Sequence, residues 1–341
     1  MNVRTCAIFT ALAAGLVLVP FETAAADPNN ITGSNGLVMI DKRGGFVRFF
    51  DPETLEQTGA LDLGDPPHEL AVSPDHKTAY VPLYGDGVYG NNPHPDHRIV
   101  AIDLATQRVV RTIDVSPNVA PHGLQVDDSG TLYATCDLSR TLLVIDPGTG
   151  EIEQTIDVEG TGHWVTVLSD GSKAYVANKN DRPFVSVVDL KKGKMIGRIP
   201  MPNGTQGITS SPDGARVIAI DFREPKFYVV DTRTDRIIET VDVARNTVGP
   251  FRARYSPDGS TLITVNHVDS LANVYDPRDF SRPQQVVEVG RQPFGIAYAP
   301  GGGVALISNH GDGTISVLDL ARSEIVATFE AGTGIETLTY Y

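Results

Sequence analysis

Seven aspartates, Asp51, Asp103, Asp146, Asp189, Asp231, Asp276 and Asp319, each close an apolar run, and they follow one another at intervals of 52, 43, 43, 42, 45 and 43 residues. A period a little above forty accommodates four short strands with their turns, which is the content of one blade of a β-propeller. Seven such units predict an all-β chain folded as a single seven-bladed propeller of four-stranded antiparallel blades, over residues 27–341. Length alone would allow two or three domains, but a closed ring of blades is one.

The unit is clearest between Gly204 and Asn246. An entry turn, Thr205-Gln206-Gly207, leads into a strand from Ile208 to Ser211, and Ser211-Pro212-Asp213-Gly214 supplies the backbone angles of a tight turn. Strands follow over Arg216 to Asp221, Lys226 to Asp231 and Arg236 to Val243. Runs such as Val185-Ser186-Val187-Val188 are apolar on both faces or nearly so, as strands sandwiched between neighbouring blades require. The first unit lacks an innermost strand and Gly334 to Tyr341 is a strand without a blade. Joining them closes the ring and leaves no open sheet edge. The seven aspartates themselves are expected to brace the third turn of each unit through side-chain to backbone hydrogen bonds.

The net charge of -14 opposes binding to phosphate backbones and anionic headgroups, which argues against nucleic-acid partners. Met1 to Ala26 carries Arg4, an apolar run from Cys6 to Val19 and Ala24-Ala25-Ala26, the pattern of a cleaved secretory signal, so the chain is expected in the periplasm or the medium after cleavage near Ala26. The run is too short to span a bilayer, so no membrane insertion is expected. Cleavage leaves Cys136 as the sole cysteine, without a partner for an intrachain disulfide or a paired-cysteine metal motif.

Tyr175-Val176-Ala177-Asn178, Val185-Ser186-Val187-Val188-Asp189 and Ser211-Pro212-Asp213-Gly214 together resemble the YVTN-type β-propeller repeat family over essentially all of the mature chain. The resemblance implies the fold and says little of function, because these are strand and turn residues. More loosely, Gly249 to Tyr255 is similar to the Gly-Pro-Arg-His segment of lactonase-type seven-bladed propellers. Here the histidine is missing and the arginine is displaced by one, so the catalytic assignment of that family does not carry over.

Blade register sorts the polar residues by face. His68, His122 and His163 fall in entry turns, His94 and His97 in an insertion between the second and third strands of blade two, and His267 and His310 at the ends of second strands. Seven of the eight histidines thus map to one face, and His76 to the other. One entry-turn residue per blade stands at equal height near the axis: Glu336, His68, His122, His163, Gln206, Phe251 and Phe294. A carboxylate and three imidazoles from four consecutive blades have the ligand types of a divalent transition-metal site. His267 and His310 stand one strand farther out and are candidates for proton transfer or for support of the ligands.

The insertion from Tyr84 to His97 accounts for the 52-residue interval. With Tyr89, His94 and His97 it reads as a long loop over the same mouth, a candidate substrate loop. Arg252 and Arg254 place positive charge on an inner strand of an acidic protein, either to meet an anionic substrate or to pair with nearby carboxylates. Trp164 reads as packing between blades, and Cys136 as a buried small hydrophobe.

These residues point to an exported propeller with a histidine-rich site for a small-molecule ligand or substrate at one mouth of its channel. The expected activity is that of a metal-dependent enzyme of lactonase, hydrolase or lyase type, with Arg252, His267 and His310 as candidate catalytic groups. Two other readings stay open: a propeller that binds a ligand, a metal or a protein partner without chemistry, and a copper- or iron-dependent oxidoreductase.

Overall fold

The structure, a computed structural model, describes residues 34–89, 91–179 and 182–341; the leader read over residues 1–26 lies outside them. Among the described residues there is no helix, and the strands form seven separate four-stranded antiparallel sheets. Six sheets run in sequence order. The seventh pairs Ile335–Tyr340 with Leu37–Asp41, so the last strand supplies the inner edge of blade one and closes the ring as expected.

Blade five shows how closely the repeat dictates the strands. The second and third run Arg216–Asp221 and Lys226–Asp231, and the fourth Arg236–Asp242. The first begins three residues earlier than its apolar content predicts, at Thr205 rather than Ile208. Thr205 pairs with Asp221 and Ile208 with Ala219, so Gln206 and Gly207 form a β-bulge inside the strand. The same irregularity occurs at Glu336, His122, His163 and Phe294. A bulge re-aims the side chain it contains, and in these five blades it turns the ring residue toward the axis. Glycine follows three of the ring residues, and a Cβ on Gly123 would lie 2.6 Å from the His163 carbonyl oxygen and one on Gly295 2.9 Å from that of Glu336. Only glycine lets adjacent inner strands approach so closely.

Each of the seven junctions between blades holds its own apolar core. Tyr175, Val185 and Val187 of blade four meet Ile208, Val217 and Ala219 of blade five, and the blade seven to one junction is built the same way from Leu306, Val317, Leu37 and Met39. The second and third strands are therefore buried on both faces, whereas the fourth strands alternate exposed and half-buried residues. Burial of each such side chain contributes roughly 1.5–3 kcal/mol, so stability is distributed around the ring.

All seven repeat aspartates serve the turns predicted for them. Asp51 accepts from the backbone N–H groups of Glu53 and Thr54, Asp231 from Arg233 and Thr234, and the other five bond in the same way. The asparagine of the Tyr-Val-Ala-Asn segment, Asn178, is wholly buried and donates to the Phe184 carbonyl and the Ser186 hydroxyl. Blade one has Asp41 at this position. Its carboxylate accepts from Arg48 Nε (2.8 Å), from the Gly44 N–H, and from the N–H groups of Thr333 and Gly334 (3.2 and 2.9 Å) just before the closing strand.

The insertion in blade two is not an open loop. The second and third strands lengthen to Thr78–Gly85 and Pro95–Asp103, Gly85 pairs with Pro95, and Val88 bridges Asn91. The glycine and asparagine content signals a turn, and the pairing of the flanking strands makes that turn the tip of a raised hairpin.

Candidate metal site on the propeller axis

The entry-turn ring lies where blade register puts it, and its histidine arc is compact. His68, His122 and His163 are 5%, 1% and 4% exposed. His68 Nε2 and His122 Nε2 are 2.8 Å apart, and the rings of His122 and His163 lie 4.4 Å apart. His163 Nδ1 donates to the Gln206 carbonyl oxygen (2.7 Å), which leaves its Nε2 with the lone pair. Burial holds all three imidazoles well below the ordinary histidine pKa, and the positive charges of Lys42, Lys179 and Arg252 act in the same direction. They are neutral at physiological pH, the state in which an imidazole nitrogen can ligate a metal.

The carboxylate nearest this pair is Glu69, which immediately follows His68. Ligand atoms of His68, Glu69 and His122 all lie within 4.8 Å of one another, so these three buried residues could hold a metal ion. Sequence alignment passed over Glu69 because it aligned only one residue per blade. Glu336, the carboxylate that alignment selected, is also buried in the ring, and it is held by Lys42, whose Nζ is 3.3 Å from Oε2 and 3.4 Å from His68 Nε2.

A second ring stands above the first, contributed by the residue just past the second strand of each blade: Lys42, Asp137, Lys179, Phe222, His267 and His310, with Tyr84 in the longer strand of blade two. Its members contact entry residues of their own and neighbouring blades, and one another. Tyr84 stacks on His68 at 4.9 Å and donates to Asp137 Oδ2 at 2.6 Å; His267 lies 5.2 Å from Phe251 and His310 stacks on Phe294 at 4.5 Å. Phe251 and Phe294 are parallel, 4.0 Å apart and inclined by 10°. The two candidate proton carriers thus belong to an aromatic arc opposite the metal-competent one. Burial lowers both of their pKa values, and the Glu336 charge partly offsets this for His310.

From the hairpin tip, Tyr89 also reaches the cluster. Its ring lies 4.7 Å from His163 and 5.9 Å from His122, and its hydroxyl donates to Thr161 Oγ1 at 2.5 Å. Lys179 Nζ sits 5.2 Å over the same ring, and burial brings this ammonium down to a pKa of about 8. His94 and His97 point elsewhere, each onto a surface aspartate, Asp86 at 2.8 Å and Asp114 at 3.0 Å.

Below the histidines, a third set of side chains crosses the axis. Arg252 of blade six donates to Glu69 of blade two and Thr337 of blade one, both at 3.2 Å, and its guanidinium lies 4.1 Å over the Trp164 ring of blade four. Of the two roles read for it from sequence, pairing with a carboxylate is the one it has here. Burial raises the Glu69 pKa against the pull of Arg252. Trp164 is therefore part of this partition. Beyond it a cavity of about 580 Å³ runs between the inner strands to the opposite face, where Pro74, His76, Pro212 and Pro257 form its rim. His76 is on the face away from the other histidines, as predicted. Cys136 is fully buried, and burial pushes its thiol pKa far up.

No protein-family model matches the chain. Among solved structures it is similar to one described as Kuenenia stuttgartiensis Hydrazine Synthase, with a TM-score of 0.65 and 19% identity over 80% of this chain and 89% of that one. At this identity the likeness is one of fold alone.

Proposed function

We propose that this chain is a YVTN-type propeller that holds a divalent transition metal on its axis through His68, His122 and Glu69, with His163 beside them, and that it is a metal-dependent enzyme acting on a small anionic substrate by hydrolysis or elimination. The observation that carries the reading is the 2.8 Å convergence of two buried, neutral imidazoles on the axis with a buried carboxylate beside them. A passive surface has no need of three desolvated imidazoles at one point, each of which forgoes hydration on burial. A bound metal would supply Lewis acidity toward a carbonyl oxygen and lower the pKa of a water molecule.

The protein's own groups have distinct parts. His163, its Nδ1–H fixed on Gln206, keeps the Nε2 lone pair free beside His122, and Tyr89 covers both rings and excludes water from that side. Lys42 and Lys179 bring positive charge to the rim, where an anionic group of the substrate would sit. His267 and His310, neutral and beside the aromatic pair, are placed to take up and release a proton. Arg252 acts through Glu69 and is a positioning residue. The chain is proposed to work outside the cytoplasm after cleavage near Ala26, which mass spectrometry of the exported protein would show as an N-terminus at Asp27.

Metal analysis of untagged protein from the export compartment tests the reading, together with turnover on a panel of lactones and esters. The expected result is about one equivalent of metal, lost together with turnover in His122→Ala. Metal well below one equivalent and unaffected by His122→Ala would overturn the metal site. Bound metal without turnover would make the chain a metal-binding scaffold, and a redox-active copper or iron centre would move it to the oxidoreductases.

A further inference from the structure

We infer that the axial chamber beyond the Arg252 partition is a second binding site, for an organic carboxylate with an apolar body, held through its carboxylate on Arg254. The chamber is about 580 Å³ and its walls combine apolar side chains, among them Val126, Val165 and Ile208, with Thr166 and Thr209. Arg254 follows Arg252 by two residues on the same inner strand, Arg252–Tyr255, so both side chains face the axis.

Arg254 is solvent-accessible yet enclosed by protein, as a group lining a water-filled channel is, and Arg252 adds a second positive charge nearby. One of its five donor hydrogens goes to the Ile296 carbonyl oxygen at 3.0 Å, and no carboxylate among the described residues pairs with it. Arg252 differs in this respect, since Glu69 offsets its charge. An enclosed guanidinium without a counter-ion has its fork of donors free for a planar oxyanion, and two parallel N–H···O bonds to a carboxylate complete it. The walls decide between oxyanions. Phosphate or sulfate would meet hydroxyls here but leave the apolar part of the wall uncovered, whereas a carboxylate carrying a hydrocarbon chain places the chain against Val126, Val165 and Ile208.

Trp164, the only tryptophan of the chain, lines the inner end of this chamber and reports on its contents. Titration of the full-length exported protein with octanoate, followed by tryptophan fluorescence and by calorimetry, is expected to saturate at one site. Inorganic phosphate is expected to bind much more weakly, because it covers none of the apolar wall. Arg254→Gln should weaken octanoate by at least about tenfold, the loss of one charge-assisted pair, and Thr209→Phe, which narrows the chamber and leaves the charge intact, should also block it. Absence of saturable octanoate binding by calorimetry, equal binding of phosphate, or unchanged affinity in both variants would overturn the site. Because the chamber lies on the far side of the partition, octanoate binding is expected to survive treatment with a chelator.

Discussion

Arg252 of blade six spans the axis to Glu69 of blade two, Nη2 lying 3.2 Å from Oε1, with Glu69 buried and Arg252 largely so. Breaking a buried pair from one side leaves the other charge desolvated, which typically costs about 3–5 kcal/mol. Arg252→Met is therefore expected to lower unfolding stability by an amount in that range, measured by urea titration. The double variant Arg252→Met/Glu69→Gln should recover a substantial part of the loss. A double variant no more stable than the single would show that Arg252 matters by packing on Trp164 and not by pairing.

The two buried carboxylates of the ring differ in what neutralises them, and this separates their roles. Glu69 lies with His68 and His122 in one buried group that could hold a metal, while Glu336 is held by Lys42. Glu69→Gln should weaken zinc or copper uptake by at least about tenfold, by analogy with the loss of a ligand or its close support. Glu336→Gln should leave uptake nearly unchanged and free Lys42. Equilibrium dialysis against competing chelators reads both, and equal losses in the two variants would place the ion in a different part of the ring.

How much of this was legible in the sequence follows from what a repeat can fix. The strand-ending aspartates set the blade register, and register located the entry-turn residues His68, His122, His163 and Glu336 in advance. It could not rank them by distance. Glu69 was passed over because it follows the aligned position, and Lys42, Tyr84 and Lys179 because the residue after each second strand was not aligned across blades. Aligning that position would have revealed the second ring, in which His267 and His310 are two members of seven. The hairpin read as a loop because turn residues and long-loop residues share a composition; the Gly85 to Pro95 pairing and the Val88 to Asn91 bridge distinguish them.

Tyr89, near the hairpin tip, lies against His122 and His163, so it limits their access to solvent. Tyr89→Ala should accelerate modification of His163 and His122 by diethyl pyrocarbonate several-fold, read by peptide mass spectrometry, with little change at His94, which is already exposed. Unchanged rates would mean that the ring is closed from above by the lysines and not by the hairpin.

Cys136 offers a contrast between proximity and chemistry. It ends a second strand one residue before Asp137, yet it is fully buried and burial raises its thiol pKa, so little thiolate forms at neutral pH. It is expected to resist iodoacetamide in the native protein and to react at the ordinary rate in denaturant. Fast native alkylation would require the site to open locally.

Asp41 braces the ring closure, because its oxygens tie the N–H groups of Thr333 and Gly334, just before the closing strand, to Arg48 and Gly44 of blade one. Burial acts to raise its pKa, but the Arg48 bond and the three backbone donors outweigh it, and the folded pKa lies below the ordinary 3.8. A carboxyl depressed on folding contributes stability that is complete above its unfolded pKa and is lost as pH falls through the folded one. Asp41→Ala is accordingly expected to cost about 3–5 kcal/mol at neutral pH, with hydrogen exchange accelerated first along Ile335–Tyr340. The difference in stability between wild type and Asp41→Asn should be constant above about pH 5 and shrink as the pH falls below 4. A difference independent of pH down to pH 2 would show that Asp41 works through its shape and neutral hydrogen bonds instead of its charge.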